Sequence, residues 1–309
     1  MNFDTSHLHT LARLEPGNNI NDIHRYLCAT EREDMIGVSR SVVDLYKIAE
    51  SEREFFFRRN QHGLFDDEYG DRAGYKKCFF INRRKAPEAN KVELEYFLDL
   101  LYSISFSLYL GTQKFFSFNR DFNSVPKRAH LLLLESFLEC VENLYTSIDT
   151  LAVLIVLVCG IGKRGIFSKG KIDPHSEKIV FSNLAEWLGQ SPFTDNFRFP
   201  AEDNTFRLFK ALRNNRAHRP FLDWSYNLKI ADSPANLMKV RSIAENTQLY
   251  KIYVPLFLAD ACDLTSTILL AGLEGAFQTY KERHDYEMKH PKLMDRLQEI
   301  HDGWSQLLA

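Results

Sequence analysis

Apolar residues recur at steps of three and four along most of this chain. The clearest run lies between Pro126 and Gly160, where Leu134, Phe137, Leu138, Val141, Leu144, Tyr145, Ile148, Leu151, Ala152, Ile155 and Val158 repeat with the period of a helix. This predicts one long amphipathic helix over about 127–159, opened by Pro126 and closed by Gly160 and Gly162. Glu135, Glu139, Glu142, Thr146 and Asp149 fall on its other face.

A similar pattern through Leu94, Phe97, Leu98, Leu101, Ile104, Leu108 and Tyr109 predicts a helix from Asn90 to about Phe116. The short link from Asn119 to Val125 makes it an antiparallel neighbour of the next helix. An earlier segment, Glu31 to Asn60, carries Ile36, Val42, Val43, Leu45, Tyr46 and Ile48 and is helical as well. Further helices are expected at about 176–188, 204–215, 236–244, 254–283 and 291–307, while Phe221 to Thr247 as a whole stays mixed. Lys76 to Ile81 suits a brief extended element, and the acidic turn around Asp66 to Asp71 precedes it. The expected fold class is therefore all-α, a helical bundle with long antiparallel helices. Residues 1–90 form an N-terminal helical extension of unknown role, 91–285 the bundle, and 286–309 a C-terminal helix packing on it.

Composition changes this picture little. The chain has 309 residues, 45% of them apolar and 26% charged, the balance of a soluble globular protein. The longest apolar run, Leu151 to Ile161, is shorter than the ~18–20 residues of a membrane span, so no membrane association is expected. The start of the chain lacks a basic segment followed by an apolar one, and so does not resemble a secretory signal. Five cysteines, odd in number and without a CxxC pair, fit neither a disulfide framework nor a structural zinc site, and a reducing cytoplasm is the expected location. No cysteine has a histidine at a familiar catalytic spacing, and no histidine cluster has the companions of a metal site. Neither a metal nor a cofactor is expected.

Charge is distributed less evenly. The formal net charge is −2, yet between Phe197 and Pro220 the six cations Arg198, Arg207, Lys210, Arg213, Arg216 and Arg219 face only Glu202 and Asp203. A second basic stretch, Gly160 to Lys171, has Gly and Lys in a loop-like order and no Walker A spacing. It is read as a surface loop rather than a phosphate cradle. Within the first stretch, Arg213-Asn214-Asn215-Arg216-Ala217-His218 places a permanent cation and a titratable imidazole five positions apart. On a straight helix that spacing turns the two ~140° away from each other. Pro220 disfavours helix at Arg219, so the helix is expected to fray or turn near Asn215 to His218, where a chain reversal can bring Arg213 and His218 to one side.

The stretch Ala211 to His218 resembles the RxxxxH motif of the HEPN superfamily, helical-bundle proteins that include many metal-independent ribonucleases. Tyr145 to Ala152, inside a long helix followed by a loop and a short helix, is similar to one branch of that superfamily. The resemblance covers about 90–285 and leaves residues 1–90 unmatched. It implies a bundle of HEPN type and an endoribonuclease, toxin-like or acting in anti-phage defence. RNA carries its own nucleophile in the 2′-hydroxyl, so cleavage to a 2′,3′-cyclic phosphate needs proton transfer and positive charge and no metal.

The implied roles are His218 for proton transfer, Arg213 for the transition state and Asn214 as a phosphate donor or orienting group. Arg216, Arg219, Lys210 and Arg207 would hold flanking phosphates. Asp149 could pair with Arg213 and orient it, or belong to the solvated acidic stripe. One imidazole per chain cannot act as both acid and base, which implies a homodimer with a composite site; an antitoxin or regulatory partner is a further implied possibility. The alternative is a non-catalytic module that binds RNA, a nucleotide or a protein through the same basic segment.

Overall fold

The computed structural model describes residues 19–61, 79–80, 87–124, 130–160, 167–168, 171–172, 179–189, 191–218, 229–230, 237–241 and 249–289. Its helices, numbered in chain order, are α1 (Ile20–Cys28), α2 (Glu33–Gln61), α3 (Pro87–Ser124), α4 (His130–Val158), α5 (Leu184–Leu188), α6 (Asn204–His218) and α7 (Val254–Lys289). The helical bundle is there as expected. Short strands accompany it: a hairpin of β1 (Phe167–Ser168) and β2 (Lys171–Ile172), and an antiparallel sheet in the order β3 (Lys229–Ile230), β4 (Leu237–Arg241) and β5 (Leu249–Tyr253).

Every apolar position assigned to the inner face of α4, from Leu134 to Val158, is buried, as are Leu94, Phe97, Leu98, Leu101, Ile104, Leu108 and Tyr109 of α3. The periodicity therefore located the core. α3 and α4 are antiparallel, since Lys114 pairs with Glu139 at 2.5 Å while Phe118, further along α3, meets Phe137, further back on α4. They approach closely because Gly111 has no side chain; a Cβ there would lie 2.8 Å from Leu144. α4 and α7 run parallel, with Phe137 beside Phe257 and the Val158 carbonyl accepting from Arg283 at 3.0 Å. A parallel pair needs a long crossover, and residues 159–253 supply it, carrying α6 and both sets of strands.

The chain divides into two compact units, one of residues 1–39, 104–148 and 199–269, the other of 40–103, 149–198 and 270–309. The first unit groups α1 and the start of α2 with residues 104–148 and with α6. In the first unit Tyr26 of α1 meets Tyr109 of α3 edge-on at 4.6 Å. Arg32 grips Asp34 through two hydrogen bonds, of 3.2 and 2.8 Å, bonds Asp263 and lies 5.3 Å from the Phe115 ring. Ser266 donates to Asp34 at 3.0 Å. Burial alone would raise the Asp34 pKa, but the bond and charge of Arg32, with Ser266 adding, hold it below the usual carboxylate range.

In the second unit Glu52 is 7% exposed and accepts the backbone N–H groups of Phe79 and Phe80, the latter at 2.7 Å. This seats Phe80 against Phe97 and Tyr280, at 4.7 and 4.2 Å. Asn196 donates to Thr279 and Glu282 of α7 at 3.2 and 2.8 Å. Gly160 ends α4 with φ 64°, and its N–H bonds the Leu157 carbonyl at 3.0 Å. A left-handed residue past the last turn is the usual glycine stop, as its place after the apolar run foretold.

Three expectations change. The segment 236–244 was expected to be helical, but Leu237–Arg241 is a strand, because pairing with Leu249–Tyr253 outweighs the local preference of so short a run. α3 runs on to Ser124, shortening the link before α4. α1 was not foreseen, although Asn19 caps it, accepting the Asp22 N–H at 3.0 Å. The C-terminal helix, the turn around Asp66 to Asp71, nearly all of the extended element from Lys76 to Ile81, and most of the basic stretch from Gly160 to Lys171 lie outside the described residues.

By length and composition, Leu133–Val158 and Val254–Arg283 could each cross a membrane, unlike the uninterrupted apolar run. Both are core helices here, 72% and 56% buried over their most apolar windows. Hydroxyls lie within both helices, Ser147 in α4 and Thr265 and Ser266 in α7. These buried hydroxyls donate to carbonyls of their own helices, 2.6–3.0 Å away.

Candidate functional site

The cationic segment becomes α6. Asp203 caps it, accepting the Phe206 N–H on its carboxylate at 2.7 Å, while its carbonyl accepts from Arg207 at 3.1 Å. An aspartate at this position satisfies free N–H groups and favours the positive end of the helix dipole. Phe206, Leu208, Phe209 and Leu212 are buried as the pattern predicted; Arg207 is exposed and Lys210 half-buried.

Arg213 lies one turn beyond Phe209 on α6. It is half-buried, with its guanidinium carbon 5.6 Å from the centre of the Tyr145 ring. Tyr145 is itself 3% exposed and is also met by Phe206, at 6.3 Å, and by Phe209, edge-on at 5.2 Å. Positions 206, 209 and 213 form one stripe of a helix, so two aromatic residues and the arginine enclose the same ring. Such a contact fixes the direction of a guanidinium and contributes about 1 kcal/mol when partly desolvated. The sequence reading placed Tyr145 in the core but missed this second use; the signal was the i, i+3, i+7 spacing.

The helix expected over about 204–215 ends at the far side of the expected break. α6 continues through Asn215 to His218. Pro220 restricts the residue before it, Arg219, and His218 is one residue further back, so helix up to His218 is compatible with the proline. On this continuous helix positions 213 and 218 are separated by ~140° about the axis, and the backbone does not bring the pair to one side. Positions 216 and 217 share the stripe of Arg213. Of Asn214, Arg216 and His218 only the backbone belongs to the described residues; Arg219 and Pro220 lie outside them.

Asp149 is half-buried near the end of α4, one turn beyond Tyr145. Its carboxylate accepts the Phe181 N–H at 3.0 Å, tethering the short helical segment that leads into α5. The described contact is thus a structural one.

A second group was passed over because α1 was not recognised. His24 and Cys28 lie one turn apart on that helix, the Cys28 sulfur 3.6 Å from Nε2 and 3.9 Å from Nδ1. Nδ1 is 2.8 Å from the buried hydroxyl of Ser39. A thiol therefore does lie beside an imidazole, at a spacing that only a helix makes close. The other described cysteines, Cys140, Cys159 and Cys262, are buried free thiols; burial pushes Cys159 up to about 11. Among the described residues no three His, Cys, Asp or Glu side chains gather as a metal-binding group would.

Compared with family models, curated proteins and solved structures, the chain matches none.

Proposed function

We propose that the chain is a metal-independent endoribonuclease of HEPN type, acting as a homodimer and serving as a toxin-like or defence effector in the cytoplasm. The observation that carries this reading is the seating of Arg213 on Tyr145 within the most cationic helix. A guanidinium held by its own helix against a buried ring is preorganised, and preorganised charge is what a phosphoryl transition state rewards. The motif resemblance supplies the reaction class.

The ribose 2′-oxygen attacks phosphorus while one imidazole takes its proton. The bond to the 5′-oxygen breaks, and a second imidazole returns a proton to that leaving oxygen. The products are a 2′,3′-cyclic phosphate and a 5′-hydroxyl. Because α6 is continuous through His218, positions 213 and 218 of one chain lie ~140° apart about its axis. Two copies facing each other would supply both imidazoles and a nearby arginine. Asn214 then donates to phosphate, while Arg216, Arg219, Lys210 and Arg207 hold the strand on either side.

The same continuous helix favours one other reading, a non-catalytic module that binds RNA, a nucleotide or a protein partner by charge alone. Purified protein incubated with mixed RNA in EDTA separates the two. Cleavage by the wild type, lost in both Arg213→Ala and His218→Ala, supports the nuclease. RNA bound but left whole, with His218→Ala binding equally well, supports the module. Sedimentation tests the dimer, and full activity from a monomer would overturn the composite site.

A further inference from the structure

The thiol of Cys28 and the imidazole of His24 pair a nucleophile with a base, and RNA cleavage uses neither. Cys28 ends α1 and is partly exposed, whereas the other described cysteines, Cys140, Cys159 and Cys262, are buried. His24 lies four residues earlier, so a single helical turn sets both side chains on one face.

The sulfur is 3.6 Å from Nε2 and 3.9 Å from Nδ1. Distances so nearly equal place it beside the N–C–N part of the ring, over which an imidazolium spreads its charge. Nδ1 is 2.8 Å from the hydroxyl of Ser39, a residue of α2 that is 1% exposed. That hydroxyl can accept from Nδ1–H, which leaves Nε2 to take the thiol proton, and it can go on accepting once the ring is charged. All three residues belong to the same compact unit. α2 thus steadies a base that α1 carries beside its own thiol.

The surroundings of the sulfur narrow the chemistry. Acyl transfer needs N–H donors for an oxyanion, and those that follow Cys28 are engaged. Ala29 bonds the Arg25 carbonyl at 3.1 Å, Thr30 that of Leu27 at 3.2 Å, and Glu31 that of Cys28 at 3.3 Å. A structural metal needs further ligands, and no such group gathers among the described residues. The C-terminal end of a helix does not favour a thiolate, so the imidazole is the activating group. Disulfide exchange asks for no more than this, a base to take the thiol proton and an acid to return it.

We propose that Cys28 is a site of reversible S-thiolation, taking its adduct from a low-molecular-weight disulfide with His24 as general base. The Cys28 sulfur attacks one sulfur of the disulfide while its proton passes to Nε2. An S–S bond to Cys28 forms, the S–S bond of the reagent breaks, and the departing thiolate recovers the proton from the imidazolium. A free thiol reverses the step by the same exchange. The site stands apart from the RNA-cleaving reading and survives its failure.

The test exposes the full chain to bis(2-hydroxyethyl) disulfide, a small neutral reagent, with acid quenching, intact mass and peptide mapping. An adduct at Cys28 is expected, absent from Cys28→Ser. Folded Cys28 should react about tenfold faster than the same thiol in urea, where nothing holds the imidazole; an optimised base contributes ~10²–10⁴. His24→Gln should remove that advantage and leave the rate in urea unchanged. Ser39→Ala should slow the folded reaction about threefold, the worth of one hydrogen bond, and add nothing to His24→Gln, because the hydroxyl acts through the ring.

A folded Cys28 that reacts no faster than in urea overturns the proposal without recourse to any variant. An unchanged rate in folded His24→Gln overturns it as well. Ser39→Ala slowing the His24→Gln variant further would remove the hydroxyl from the arrangement.

Discussion

In the unit of residues 40–103, 149–198 and 270–309, charged side chains are joined to backbone. Glu52 holds the N–H groups of Phe79 and Phe80, Asp149 holds that of Phe181, and Arg283 holds the Val158 carbonyl. In the unit of residues 1–39, 104–148 and 199–269, opposite charges tie helices together, Arg32 with Asp34 and Asp263 and Lys114 with Glu139. The same unit also carries charge gathered as one sign, the cations of α6. Charge bound to backbone or to opposite charge should appear in stability. Charge gathered as one sign should appear in what the protein binds and in how salt weakens it.

The largest effect expected on the stabilising side comes from Glu52→Ala. It leaves two backbone N–H groups without their acceptor, and urea unfolding should show a loss of about 3 kcal/mol with RNA affinity per folded molecule unchanged. A loss of affinity at full stability would break the division between the units.

Tyr145→Leu keeps an apolar side chain beneath Arg213 and removes the ring face. A drop of about fivefold in RNA cleavage is expected, near the 1 kcal/mol of a partly desolvated cation–π contact. Unchanged cleavage would mean that the ring does not position the arginine.

The Arg32 group makes a pH prediction. Asp34 has a folded pKa below its ordinary ~3.9, so the stability it contributes is present above that value and is lost as pH falls through the lower, folded one. Asp34→Asn should therefore flatten acid unfolding below about pH 4 and leave the profile near neutrality parallel to the wild type. An Asp34→Asn profile as steep as the wild type below that pH would contradict the pairing.

Gly160→Ala is the smallest change. Its φ of 64° and the nearness of Arg283 make alanine strained, and thermal unfolding should show a loss of about 1 kcal/mol without altered RNA binding.

The long helices could be read from the chain because their signal is repeated over many turns. α4 and α7 each begin or end at a proline or glycine in the expected place, and the α4 and α3 core residues were identified one by one. Short elements lacked that redundancy. Leu237–Arg241 fits either a helix turn or a strand, and only its distant partner Leu249–Tyr253 decides. α1 carried a legible cap in Asn19 and Asp22, but its short span offered little periodicity.

The site was legible in composition and less so in geometry. The sequence located the cationic helix, and its end was set too early because the influence of Pro220 was extended past Arg219. Arg213 shares one stripe with Phe206 and Phe209, which leads it to the Tyr145 ring. The thiol and imidazole of Cys28 and His24 meet only once α1 exists.

The most direct test of the central claim is mass spectrometry of the 3′ ends left on RNA after incubation with the full-length protein in EDTA, beside a 2′-O-methyl copy of the same RNA. The account predicts 2′,3′-cyclic phosphate ends on the RNA, an intact 2′-O-methyl copy, and no products with His218→Ala. RNA left whole by the wild type, or cleavage of the 2′-O-methyl copy, would contradict it.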